Sequence, residues 1–134
     1  MAEDFDLKMM VADYMERGFL ENIIDMFRHD KTLYPLIGEL IKDERVRVRL
    51  GVAALVETLT EEDPENILIS IPSTAALLRD QNPTVRGDAA YLLGMIGHPD
   101  ALPSLKEIAD DEDTEVREIV RESIEEIEKK RNKI

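Results

Sequence analysis

Residues 80–105 read DQNPTVRGDAAYLLGMIGHPDALPSL, and the fold turns on them. Asn82 followed by Pro83 marks a helix start. The Asn side chain can accept from an otherwise orphaned amide, and proline suits the first turn, where its missing N–H leaves no bond unmade. From Val85 the apolar residues fall at Ala89, Leu92, Leu93 and Ile96. At about 100° per residue they share one face. Gly97 ends the helix, because glycine enters the left-handed conformation that closes a helix C-terminus. His98-Pro99-Asp100 reads as a turn, with Asp100 placed to cap a second helix carrying Leu102, Leu105, Ile108 and Ala109 inward.

The same signals recur on both sides. Three prolines, Pro35, Pro72 and Pro103, are each followed thirteen residues later by a valine: Val48, Val85 and Val116. Each valine is followed by an arginine (Arg49, Arg86, Arg117) and preceded five residues earlier by an aspartate (Asp43, Asp80, Asp111). Four residue types in three registers define an internal repeat of helical hairpins. The spacings are 37 and 31 residues, and the extra six fall near Thr60 to Ile69, between helices, where insertions are tolerated.

In the first unit, Thr32 is expected to cap a helix through Leu36, Ile37, Leu40 and Ile41, and a second helix carries Val48, Val52, Leu55, Val56 and Leu59. Asp63-Pro64 is expected to open a helix with Ile67, Leu68, Ile71, Leu77 and Leu78, kinked at Pro72. Asp113 is placed to cap the last helix, whose inner face is Val116, Val120, Ile124 and Ile127. Lys129, Lys130 and Arg131 suit its C-terminal dipole. Residues 1–30 lie outside the repeat. Helices near Asp4 to Arg17 and Phe19 to Arg28 are expected there, with Phe5, Val11, Tyr14, Met15, Phe19, Ile23, Ile24 and Phe27 as apolar surface. The organisation expected is one domain over residues 1–134: an N-terminal helical cap (1–30), then units at 32–59, 63–97 and 99–128.

The totals bound the function. The 134 residues suit one modest core. A net charge of −13 argues against nucleic acid, whose binding needs Lys and Arg to displace counterions, and against anionic membranes. A protein partner offering a basic or apolar segment is compatible with it. There is no Cys, hence no disulfide, thiolate metal site or thiol nucleophile. Met1-Ala2-Glu3-Asp4 lacks the basic start of a signal peptide, and no apolar run reaches the length of a membrane span. A cytoplasmic, monomeric protein without cofactor is expected.

Asp80, Val85-Arg86, Ala89-Ala90, Leu93-Gly94, Ile96-Gly97, Pro99, Ala101-Leu102-Pro103 and Leu105 together resemble the HEAT repeat, in the subtype also found in phycobilisome-lyase-like proteins. The resemblance covers roughly residues 32–128. It implies an all-α fold, a right-handed α-α superhelix of about three helical-hairpin repeats. It also implies that the second helix of each unit lines an inner, concave surface, and that the Asp43, Asp80, Asp111 and Arg49, Arg86, Arg117 series form a structural ladder between neighbouring units. Glu57 and Glu125 stand where the middle unit has Gly94, and Val120-Arg121 replaces its alanine pair, as end repeats vary.

Catalytic constellations are not legible. Asp110-Asp111-Glu112-Asp113 lacks the glycine and spaced glutamate of a calcium loop and reads as a solvated turn. Some HEAT-like enzymes bind iron through His-Glu pairs, but His29 is followed by Asp30 and His98 by Pro99. Ser70, Ser73, Ser104 and Ser123 have no nucleophile elbow. Met9, Met10, Met15 and Met26 read as core filler, and Lys129 to Lys133 as a charged helix end.

A binding row remains. Offsets of two, six and ten from each repeat valine point away from the core: Leu50, Ala54 and Thr58; Gly87, Tyr91 and Met95; Glu118, Glu122 and Glu126. The row passes from apolar to acidic. Tyr91 is the expected anchor, with Asp88, Glu118 and Glu122 steering a basic segment. A non-catalytic interaction module that holds a partner on this acidic and apolar face is therefore expected. An accessory or lyase-like role in tetrapyrrole (bilin) handling, suggested by the repeat subtype, and a nucleic-acid-handling role, disfavoured by charge, are the alternatives.

Overall fold

The computed structural model describes residues 6–133, and among them every regular element is helical. The α-helices are α1 (Leu7–Glu16), α2 (Leu20–His29), α3 (Leu36–Leu40), α4 (Val46–Glu62), α5 (Ile71–Ala76), α6 (Pro83–Ile96), α7 (Leu102–Glu107) and α8 (Thr114–Arg131). Short 3₁₀ turns at Lys31–Leu33, Asn66–Ser70, Leu77–Arg79 and Pro99–Ala101 extend the short helices. The described residues form an all-α repeat solenoid of stacked helical hairpins. The long helices α4, α6 and α8 stack side by side and parallel, and the short α3, α5 and α7 form a second layer. The α1–α2 hairpin packs on α4 at the N-terminal end. The expected start near Asp4, and Phe5, lie outside the described residues.

The repeating proline sets where each short helix begins. Pro35 immediately precedes α3, and Pro72 and Pro103 are the second residues of α5 and α7. A residue without an N–H cannot take part in a preceding α-helical ladder, so the ladder restarts there. This corrects the kinked helix expected across Pro72: a 3₁₀ turn, an α-helix and a second 3₁₀ turn replace it.

Two of the caps differ from expectation. Asn82 and Asp113 accept from Thr84 and Val116 as expected, at 2.9 and 3.0 Å. In the first unit the cap is Asp30, which accepts from the amide and hydroxyl of Thr32; Thr32 is a donor. At the third turn His98 Nδ1 accepts from the Asp100 amide at 3.1 Å, so the histidine takes the role expected of Asp100. Gly97 closes α6 at φ 76°.

The core runs unbroken between the layers. Ile37, Leu40, Val48, Val52, Leu55, Val56, Leu59, Ile67, Leu78, Ala89, Leu93, Leu105, Val116, Val120 and Ile127 are buried in it, and Val11, Met15, Ile23, Ile24 and Phe27 join from the hairpin. Ala109, expected inward, is exposed because α7 ends at Glu107. Tyr14 and Phe19 are also largely exposed, packed on each other at 5.8 Å between ring centroids. Of the methionines, Met15 is buried, Met10 and Met26 are half-buried, and Met9 is exposed.

Candidate binding face

The face is built by α4, α6 and α8, and its shape follows from what stands two and nine residues after each repeat valine. In α6 these positions are Gly87 and Gly94, two helical turns apart on one stripe. A Cβ on Gly94 would lie 2.6 Å from Ser123 Oγ and 2.9 Å from Ser123 Cα, and one on Gly87 would lie 3.2 Å from Ile119. Helix α8 therefore rests almost on the α6 backbone. Ser123 uses the proximity to donate to the Ala90 carbonyl at 2.8 Å. In α4 the matching positions are Leu50 and Glu57, both exposed, and α4 packs less extensively on α6 than α8 does. The α6–α8 seam is thus closed at its two glycines, and the α4–α6 seam, with larger residues at those positions, is the more open.

The row of outward positions is only partly outward. Leu50 and Tyr91 are 65% and 55% exposed, and Glu118, Glu122 and Glu126 are exposed. Ala54, Thr58 and Met95 are half-buried. Gly87, counted into the row, is buried against Ile119. Asp88 is no free steering charge. It is half-buried and accepts from Arg49 Nε at 3.1 Å, and burial raises its pKa against the pull of Arg49.

Two concavities meet at Tyr91. One, of about 370 Å³, crosses all three long helices and is lined by Glu57, Tyr91, Met95, Ile119, Glu122 and Glu126, with Lys130 at its rim. The other, of about 140 Å³, lies in the open seam among Ile41, Val46, Leu50, Ala53, Tyr91 and Leu92, with Arg49 and Asp88 at its edge. Val46, Glu57, Ile119 and Lys130 were not among the expected binding residues. Val46 is one step before Leu50 in the same row and extending the row to the start of α4 would have found it; Glu57, nine residues after Val48, lies beside the row rather than in it. Lys130 carried no local signal. It crosses 35 residues of sequence to donate to the Met95 carbonyl at the end of α6, at 3.1 Å. There it satisfies an orphan acceptor and opposes the helix dipole.

The Asp and Arg series do two jobs. Asp43, Asp80 and Asp111 each accept from the backbone amide two residues on, at 2.9 Å in all three cases. That bond shapes the inter-helix turn. The ladder proper forms at one junction: Arg86 donates through Nε and Nη2 to both oxygens of Asp111 at 2.9 Å, and through Nη1 to the carbonyls of Asp80 and Gln81. The two side chains are 10% and 8% exposed, and Arg86 lowers the Asp111 pKa. Arg117 repeats the carbonyl bond, to Asp111 O at 2.6 Å. Arg49 departs from the expected ladder. It turns to Asp88 instead of Asp80, because only the second unit carries an acid three residues after the repeat valine; Gly51 and Ile119 stand there in the others. At the N-terminal junction Arg45 bridges Asp43 and Asp13 of α1, which lowers the Asp43 pKa.

Of the four serines considered, Ser70, Ser73 and Ser123 donate to the carbonyls of Ile67, Ser70 and Ala90. His29 Nδ1 lies 2.8 Å from the Asp25 carbonyl. Among the described residues no group of three or more His, Cys, Asp or Glu is arranged to hold a metal ion, and no helix is long and apolar enough to cross a membrane.

Residues 70–125, from the turn before α5 through most of α8, match the family model of HEAT repeats. No curated protein and no solved structure matches the chain.

Proposed function

Taking as premise that this chain is a HEAT-repeat protein, of a family that commonly mediates protein–protein interaction and is generally a non-catalytic scaffold, we propose that it binds a polypeptide partner on the α4–α6–α8 face without catalysing a reaction. The observation that carries the reading is the groove across all three long helices, lined by the exposed Tyr91 together with Glu57, Glu122 and Glu126. An exposed aromatic in a depression offers large contact area at small entropic cost. The carboxylates favour a basic segment and speed its encounter. They also oppose ligands bearing carboxylates or phosphates, which weighs against bilin propionates and nucleic acid alike.

Affinity capture from a cell lysate at low salt tests this with three baits: the native chain, a Tyr91→Ala/Glu118→Lys/Glu122→Lys variant, and a control altered on the other layer, Glu107→Lys. A protein held by the native and control baits, and lost by the groove variant while its helical circular dichroism and melting are unchanged, is the expected result. Capture that is indifferent to the groove substitutions would remove this face from consideration.

A further inference from the structure

Resting on that reading, we propose that the face recognises its partner through two separate side-chain subsites divided by the Tyr91 ring: an aliphatic side chain of Leu, Ile or Met enters the open α4–α6 seam, and a Lys or Arg side chain of the same segment enters the acidic groove beyond it.

The seam subsite follows from the broken repeat. Between α6 and α8 the helices close at two glycines; between α4 and α6, where Leu50 and Glu57 take those positions, a cavity remains. What remains is about 140 Å³ walled by Ile41, Val46, Leu50, Ala53, Tyr91 and Leu92. A lined apolar cavity of about that size accepts a six-carbon ring, so a four-carbon aliphatic side chain fits. Val46, Leu50 and Tyr91 are all more than half exposed, so such an occupant would remove apolar surface from water at three residues at once. The Arg49–Asp88 pair at the edge closes one side with a matched charge and leaves no free acid there to draw a cation into the seam.

The groove subsite has the opposite chemistry. Glu57, Glu122 and Glu126 line it with Lys130, which is already hydrogen-bonded to the Met95 carbonyl; Glu126 also lies 3.9 Å from Lys129, and Glu57 and Glu122 carry no such partner among the described residues. An added cation meets a net negative field, the Tyr91 ring for cation–π contact, and Met95 and Ile119 for its methylene stem. Because Tyr91 walls both spaces, the two partner side chains lie side by side. On a helical segment they fall three or four residues apart, on one face.

The test is selection of random twelve-residue displayed peptides on the native chain, a seam variant (Leu50→Asp) and a groove variant (Glu57→Lys/Glu122→Lys), each first shown to keep the native melting profile. The native chain is expected to enrich peptides pairing an aliphatic residue with Lys or Arg at a spacing of three or four. The seam variant should keep the basic preference and lose the aliphatic one; the groove variant should do the reverse. For a synthesised winner, alanine at its aliphatic position should weaken native binding about tenfold and have little further effect on the seam variant, as a double-mutant cycle requires. If all three proteins enrich the same peptides, or none enriches any, the face itself is wrong and the proposed function falls with the subsites. If each substitution abolishes both preferences together, the face stands and the division at Tyr91 is overturned.

Discussion

The two seams of the stack share a repeat and differ in almost every physical respect. Between α6 and α8, two glycines let the helices touch, a serine bonds across to a carbonyl, and Arg86 grips Asp111 with two parallel bonds under cover. Between α4 and α6, an exposed leucine and glutamate stand at the glycine positions, the helices pack less extensively, and Arg49 reaches a half-exposed aspartate with a single bond. In a solenoid, stability is the sum of such neighbour interfaces. The closed seam therefore contributes more to holding the stack together, and the open one leaves surface free for recognition.

The largest expected effect is at the grip of the closed seam. Arg86→Ala leaves Asp111 covered and unpaired. The pair lies just beneath the surface rather than deep in the core, so the cost should be about 3 kcal/mol, the lower end for a broken covered pair. Arg49→Ala at the open seam should cost less than about 1 kcal/mol, as half-exposed pairs do. Urea denaturation of the two variants measures the contrast; equal losses would break it.

Next is the distance of approach. Gly94→Ala forces a methyl into Ser123 and should cost roughly 1–3 kcal/mol as an overpacked core does. Part of that cost should be recovered in Gly94→Ala/Ser123→Ala, where Oγ is gone, although Cβ and Cα of residue 123 still crowd the new methyl. No recovery would mean that the hydroxyl is not what limits the approach, and that Cβ and Cα of residue 123 set the seam.

The two seams should also titrate with opposite sign. Arg86, through its hydrogen bonds, holds the Asp111 carboxyl below its ordinary 3.8. A group so depressed adds stability above its unfolded value and loses it as pH falls through the folded value. The native advantage over Asp111→Asn should thus be full at neutral pH and shrink below about 3.8. Asp88 is raised above 3.8 by burial, so its favourable contribution is full below that value and is lost as pH rises through the folded one. Asp88→Asn should be neutral or stabilising at pH 7 by less than about 1 kcal/mol, and the gain should vanish in acid. Melting temperatures from pH 2 to 7 for both variants decide it.

The smallest effect expected is that of Tyr91→Ala on stability, within about 0.5 kcal/mol, because the ring is 55% exposed. A larger loss by thermal melting would make Tyr91 a structural wedge of the open seam.

How much was legible varies by residue. Val85, Ala89, Leu92, Leu93 and Ile96 could be placed inward from spacing alone, because helical period is a local property. Asn82, Asp113 and Gly97 were readable for the same reason. Pro72 misled because a proline within a helical pattern can kink a helix or begin one, and only neighbouring layers choose. His98 in place of Asp100 shows that capping needs an acceptor lone pair rather than a charge. Gly87 had the right angle for the exposed row and the wrong neighbour: α8 covers it.

The sequence by itself determined the all-α repeat, its helical hairpins and most of its inward faces, since each depends on interactions within a few residues of chain. It also set the acidic charge. Only the tertiary structure decided which seam closes and which stays open, that Arg86 meets Asp111 while Arg49 turns to Asp88, and that Glu57, Tyr91 and Glu126 border one groove with Lys130 at its rim. Those outcomes depend on how closely helices distant in sequence approach. That distance is fixed by the pair of surfaces that meet, which no single stretch of chain contains.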